Sequence, residues 1–147
     1  MKSGASPLPV GPLDIDVLFG GVEVPDPITF IVGDRWCNRP NLYPRQATLV
    51  KVIFLRLDLL TEYDHAVIDE WEEQFRVSNG KEGLAPGVRN KMALLRRLGH
   101  KWFREVLLVM GRRAGKGHVT ALCMAYVLWN YMAKGDPQGF YGVDRDK

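Results

Sequence analysis

Arg104-Glu105-Val106-Leu107-Leu108-Val109-Met110-Gly111-Arg112-Arg113-Ala114-Gly115-Lys116-Gly117-His118-Val119-Thr120-Ala121-Leu122 is the stretch whose reading decides the fold. Five apolar residues run together from Val106 to Met110, a glycine-bearing turn then carries Arg112, Arg113 and Lys116, and a helix-competent run follows from His118 to about Ala133. Strand, loop and helix in that order form the setting of a phosphate-binding loop. A glycine-rich turn lets successive N–H groups face an anion, and the helix behind it adds its positive N-terminal end. Lys116 would then reach the β- and γ-phosphates of a nucleotide. The signature is G-x-x-x-x-G-K-[ST], and the chain departs from it twice. Met110 stands where the first glycine is usual, and Gly117 stands where a hydroxyl would hold Mg²⁺. The competing reading is a plain basic loop.

Outward from this stretch, the 147 residues suit one domain, and 46% hydrophobic with 25% charged residues is the balance of a globular chain able to bury a core. The net charge of +3 is small but unevenly spread. Residues 58–73 hold seven carboxylates and no Lys or Arg, whereas residues 89–116 hold nine Lys and Arg against Glu105 alone. The basic block suits phosphates of a nucleotide or nucleic acid, the alternative being solvated surface charge. Cys37 and Cys123 are too few for a disulfide framework or a zinc site, which points to a reducing compartment and core thiols. No run is long enough to span a bilayer, and Met1 to Pro12 has no apolar segment of the signal-peptide kind.

Residues 1–27, with Pro7, Pro9, Pro12, Pro25 and Pro27, are expected to form an irregular arm. Ile28 to Val32 suits a short edge strand or an extended segment across a core. Pro44 opens an amphipathic helix expected to reach Leu60, with Leu49, Val50, Ile53, Phe54 and Leu57 at helical spacing. A second helix is expected near Thr61, capped by its hydroxyl, burying Val67, Ile68, Trp71 and Phe75 and turning its carboxylates mainly to solvent. A basic helix from about Pro86 to Leu98, with Val88, Met92, Leu95 and Leu98 on one side, ends at Gly99. Phe140 to Val143 looks like a further strand. Two strands joined by a helix imply a right-handed parallel crossover, so the expected fold is α/β, a partial phosphate-loop NTPase parallel sheet with flanking helices. Val106 to Met110, apolar on both faces, expects neighbours on both sides, and an unpaired edge there should associate.

At Tyr43-Pro44-Arg45-Gln46 and at Gly111 to Gly117 the chain resembles the large terminase subunit of tailed bacteriophages, over roughly residues 27–147. That family is the ATP-driven motor that packages viral DNA into a capsid and cuts it. The resemblance implies that residues 28–147 are the N-terminal part of its ATPase domain, ending before the Walker B acids and without the nuclease domain. It places ATP over Gly111, Ala114, Gly115, Lys116, Gly117 and His118, with adenine near Tyr43 and Gln46. Gln46 suits the base because an amide offers donors and an acceptor together. The resemblance gives catalytic roles to Lys116 and to Arg112 or Arg113, whose guanidinium would steady charge on the γ-phosphate. With Gly117 lacking a hydroxyl, Thr120 is the nearest candidate for Mg²⁺, through a metal-bound water.

The family's partners are double-stranded viral DNA, the portal protein and the small terminase subunit, in a homo-oligomeric ring in the host cell cytoplasm, with no membrane. Weak ATP or ADP binding and negligible hydrolysis by this chain alone are expected. The alternative is a split or truncated, non-catalytic fragment that binds DNA or protein. A phosphate-loop kinase is disfavoured because no substrate-binding or lid segment follows.

Overall fold

Asp26-Pro27 begins the ordered chain with a helix stop-and-start signal. In the computed structural model, which describes residues 24–111 and 114–133, the Asp26 carboxylate accepts from the Ile28 and Thr29 amides at 3.0 and 2.9 Å. With Pro27 in the first turn this starts a helix, α1, at Pro27–Val32. The edge strand expected over Ile28 to Val32 is therefore helical. The expected arm lies outside the described residues up to residue 23.

Helix α2 (Pro44–Ile53) starts at its proline as expected but stops seven residues short of Leu60. Leu55 turns left-handed at φ 57°, its side chain fully buried, and a 3-10 turn at Leu57–Leu59 replaces the last two helical turns. Burying Leu55 and Phe54 at the bend outweighs the local cost of a left-handed leucine, which is about 1–2 kcal/mol. Helix α3 (Glu62–Val77) has Thr61 as its cap, and Val67 and Ile68 are buried as the spacing predicts. Trp71 and Phe75 are half-buried.

The α3 C-terminus closes through the Gly80 amide on the Phe75 carbonyl at 2.8 Å, with Asn79 left-handed at φ 55°. The α4 C-terminus (Val88–Arg97) closes the same way: the amides of Gly99 and His100 donate to Arg96 and Leu95 carbonyls, both at 3.0 Å. Gly99 thus ends its helix as expected, while Leu98 is exposed rather than packed. Helix α5 (Lys116–Met132) follows the glycine-bearing turn.

Val52, Leu55, Ile68, Val88 and Met92 form a core from α2, its bend, α3 and α4, with Leu57, Leu60, Leu84, Leu95 and Phe103 packed around it. The loop between α3 and α4 crosses close to α3: a Cβ on Gly83 would stand 2.3 Å from the Trp71 carbonyl oxygen, where φ is also +95°. All of this lies in one compact unit, Pro25–Met124. Of the second unit, the described residues of α5 bury Tyr126 and Asn130, whose amide donates to the Tyr126 carbonyl at 2.8 Å.

The expected parallel sheet is overturned. The described residues contain helices and no strand. Val106 to Met110 has the composition of a buried strand, yet runs without ladder partners, with Leu107 90% and Val109 82% exposed. A β-strand exists only through inter-strand hydrogen bonds. The segment expected to be its first companion is α1, and Phe140 to Val143 lies outside the described residues. Composition alone supplied the strand reading, and composition cannot supply a neighbour.

Asp64 contradicts the expectation that the α3 carboxylates face solvent: it is 2% exposed. Its Oδ2 accepts from Lys51 Nζ at 2.7 Å, the Thr61 amide at 2.8 Å and Thr61 Oγ1 at 3.0 Å, and its Oδ1 accepts from Thr48 Oγ1. Burial alone would raise its pKa, but the hydrogen bonds from Lys51, Thr48 and Thr61 outweigh it and hold the carboxyl at about 2 against 3.8 when unfolded. The folded-state pKa is the lower one, so this stabilisation is fully present above about pH 5 and is lost as pH falls through 3.8 towards 2. It is worth roughly 2 kcal/mol. Urea denaturation should show stability level from pH 7 to 5 and falling by about that amount towards pH 2. Asp64→Ala, which strands the Lys51 ammonium, should cost about 3 kcal/mol or more at pH 7 and remove most of that acid-range fall.

Candidate functional site

The two stretches singled out in the sequence, 68 residues apart, meet through one side chain. Tyr43 is extended, φ −66° and ψ 146°, and Pro44 sets the first helical φ, so Gln46 becomes the third residue of α2. From there its Oε1 accepts from the Tyr43 amide at 3.2 Å, half of the reciprocal cap that a glutamine in this position can make. Its Nε2 donates to the Ala114 carbonyl at 3.2 Å. Gln46 is 7% exposed.

Across this contact the loop is drawn tight. The Ala114 amide donates to the Gly111 carbonyl at 3.3 Å, closing a four-residue turn. Gly115 follows at φ +74°, and a Cβ there would lie 2.5 Å from Gln46 Nε2. Only glycine gives both the backbone angle and the clearance. The chain then enters α5, where the Val119 amide donates to the Gly115 carbonyl at 3.0 Å.

Lys116, Gly117 and His118 are exposed at the start of α5. The first turn of a helix carries N–H groups with no intrahelical acceptor, and its dipole favours an anion there. Lys116 forms no ion pair among the described residues. Gly111 is exposed, and Ala114 and Gly115 are half-buried. Arg112 and Arg113 lie outside the described residues. Tyr43 is 70% exposed, so its ring face is open. Arg45 turns away to α3, pairing with Glu70 at 2.7 Å and lying 5.8 Å from the centre of the Trp71 ring.

This donor set fits phosphate oxygens. Towards Mg²⁺ it offers little: Gly117 has no hydroxyl, and Thr120 Oγ1 donates to the Lys116 carbonyl at 2.8 Å, which leaves its oxygen lone pairs for a metal-bound water. Among the described residues no group of three or more His, Cys, Asp or Glu could hold a metal ion. Neither thiol is poised for chemistry. Burial raises Cys123 to about 11, and burial also raises Cys37 against the opposing pull of Arg39.

Sequence reading placed Gln46 near a base and missed its bond to Ala114. The available signal was Pro44 at the first helical position, which makes Gln46 a capping residue. No helix among the described residues is long and apolar enough to cross a membrane. Comparison with protein-family models, with curated proteins and with solved structures finds no match.

Gly115→Ala should cost about 1–2 kcal/mol from backbone strain alone, with a further loss from the clash with Gln46. Gly111→Ala, where a Cβ meets nothing within 4 Å, should change stability by less than about 0.5 kcal/mol. Equal unfolding midpoints for the two variants would show that the loop is not held as described.

Proposed function

We propose that this chain is the N-terminal ATP-binding segment of a phage terminase large subunit, the ATP-driven motor for viral DNA packaging, working in the host cell cytoplasm. The observation that carries the reading is the 3.2 Å bond from Gln46 to Ala114, because it joins the two stretches on which the resemblance rests. The anion-binding part needs only the start of α5 and its lysine, and no sheet. In this reading the triphosphate lies against Gly115, Lys116, Gly117 and His118, with Gly111 and Ala114 shaping the turn. Arg112 or Arg113 faces the γ-phosphate, the base packs on Tyr43, and Mg²⁺ arrives on the phosphates with Thr120 accepting from one of its waters. Asp64, the buried carboxylate of α3, is engaged by Lys51 and two threonines and has no spare acceptor for a water nucleophile. Binding without appreciable hydrolysis is the expected behaviour of the isolated chain. In the assembled motor the partners are double-stranded viral DNA, the portal protein, the small terminase subunit and further copies in a ring.

A second reading, a split or truncated fragment acting as an interaction module, is favoured by Leu107 and Val109. Two neighbouring apolar side chains exposed to this degree on an extended backbone offer unpaired amides and carbonyls to another polypeptide.

Calorimetry with ATP should show Lys116→Ala binding at least about tenfold more weakly than wild type, the loss of a charged hydrogen bond to phosphate. Equal affinities would remove the pocket. For the second reading, size-exclusion chromatography over a wide concentration range should show association that Leu107→Ser with Val109→Ser abolishes. A wild-type monomer at every concentration would count against it.

A further inference from the structure

Gln46 is occupied at both ends. A glutamine that reads adenine must present an N–H and a carbonyl lone pair side by side to the edge of the base. Here Oε1 faces the Tyr43 amide and Nε2 faces the Ala114 carbonyl, each at 3.2 Å. The amide plane is therefore fixed by two backbone groups on different segments. At 7% exposure almost none of it meets solvent, and Gly115 closes over Nε2 so nearly that a methyl group would not fit. Turning the amide towards a base would leave the Ala114 carbonyl and the Tyr43 amide without these partners, each a cost comparable to the hydrogen bond gained.

The neighbouring group that is open has no preference among bases. Tyr43 offers an aromatic face, 70% exposed, and every purine and pyrimidine has a π-face to set against it. The groups with charge or dipole to offer, Lys116 and the first turn of α5, address phosphate.

We propose that Gln46 is a positioning residue, a strut between the start of α2 and the turn before α5, and that the site accepts nucleoside triphosphates by their phosphates with little discrimination between adenine and guanine. This rests on the nucleotide-binding reading above and narrows it. Its consequence is that removing the Gln46 amide loosens the loop and weakens every nucleotide alike, whereas removal of a base-reading residue weakens ATP selectively.

The full chain should be titrated calorimetrically with ATP, GTP and inorganic tripolyphosphate, as wild type and as Gln46→Ala, with thermal melts run beside them. Wild-type affinities for ATP and GTP within about threefold of each other, and both falling together by about tenfold in Gln46→Ala, are expected. ATP bound more than tenfold tighter than GTP, with that preference lost in Gln46→Ala, would overturn the inference and leave the nucleotide-binding reading standing. Unchanged binding of both nucleotides by Gln46→Ala would overturn the strut. Failure of all three ligands to bind wild type would overturn the nucleotide-binding reading itself. If Gln46→Ala does not melt cooperatively, the wild-type ATP to GTP ratio decides alone, supporting the inference within threefold and overturning it beyond.

Discussion

A buried carboxylate holds the first half of this chain in register. Asp64 sits on the first turn of α3 with Thr61 as its cap, and reaches across to Lys51 and Thr48 on α2. Each partner answers a different need. Thr61 satisfies helix-terminal donors, Lys51 neutralises charge, and Thr48 fills the remaining oxygen. A carboxylate taken out of water without such partners would protonate or force the helices apart. Here the opposite happens, and its proton affinity falls. The rotation of α2 about its own axis is thereby fixed. With Thr48 and Lys51 turned to α3, the first turn of α2 presents Gln46 to Ala114, two residues before α5 begins.

The loop's shape depends on that presentation as much as on its glycines. Gly115 permits a left-handed turn but does not require one, since glycine populates both signs of φ. What selects the observed state is the Ala114 carbonyl held by Gln46 on one side and the Gly111 to Ala114 turn on the other. Tightness here comes from side-chain hydrogen bonding rather than from a flanking strand. That is the physical difference between this loop and the strand-anchored one its sequence suggests.

How much could be read beforehand follows from which interactions are local. The Thr61 cap, the end of α4 at Gly99, the start of α2 at Pro44 and the packing of Val67, Ile68, Val88 and Met92 each depend on residues within one or two helical turns, and each was visible. The end of α2 was not, because Leu55 is left-handed for the sake of burial against α3 and α4, which no local propensity encodes. Asp64 was misplaced for the same reason: its charge said surface, and only Lys51, thirteen positions back, made the interior tolerable. Asp26-Pro27 was a local signal passed over in favour of β-branched composition. For the candidate site, the meeting of Gln46 with the loop was anticipated as a shared ligand pocket, whereas its hydrogen bond to a carbonyl is a tertiary fact.

The acidic run of residues 58–73 and the basic block after it gain a joint explanation from the ion pairs. Arg56 answers Asp58, Lys51 answers Asp64, Arg45 answers Glu70, Arg76 answers Glu73, and Arg89 lies against Asp69 and Glu72. Four of those cations come from outside the block of residues 89–116, so the block's positive charge is largely left over. Exposed pairs of this kind contribute about 0–1 kcal/mol each, too little to determine the fold. Their effect is on the field. With the acids matched near α3, the unmatched charge lies further along the chain and includes Lys116 at a helix start that already favours anions. An anion approaching that helix start therefore meets lysine and amide dipoles acting in the same direction, with the carboxylates of α3 already neutralised by other partners.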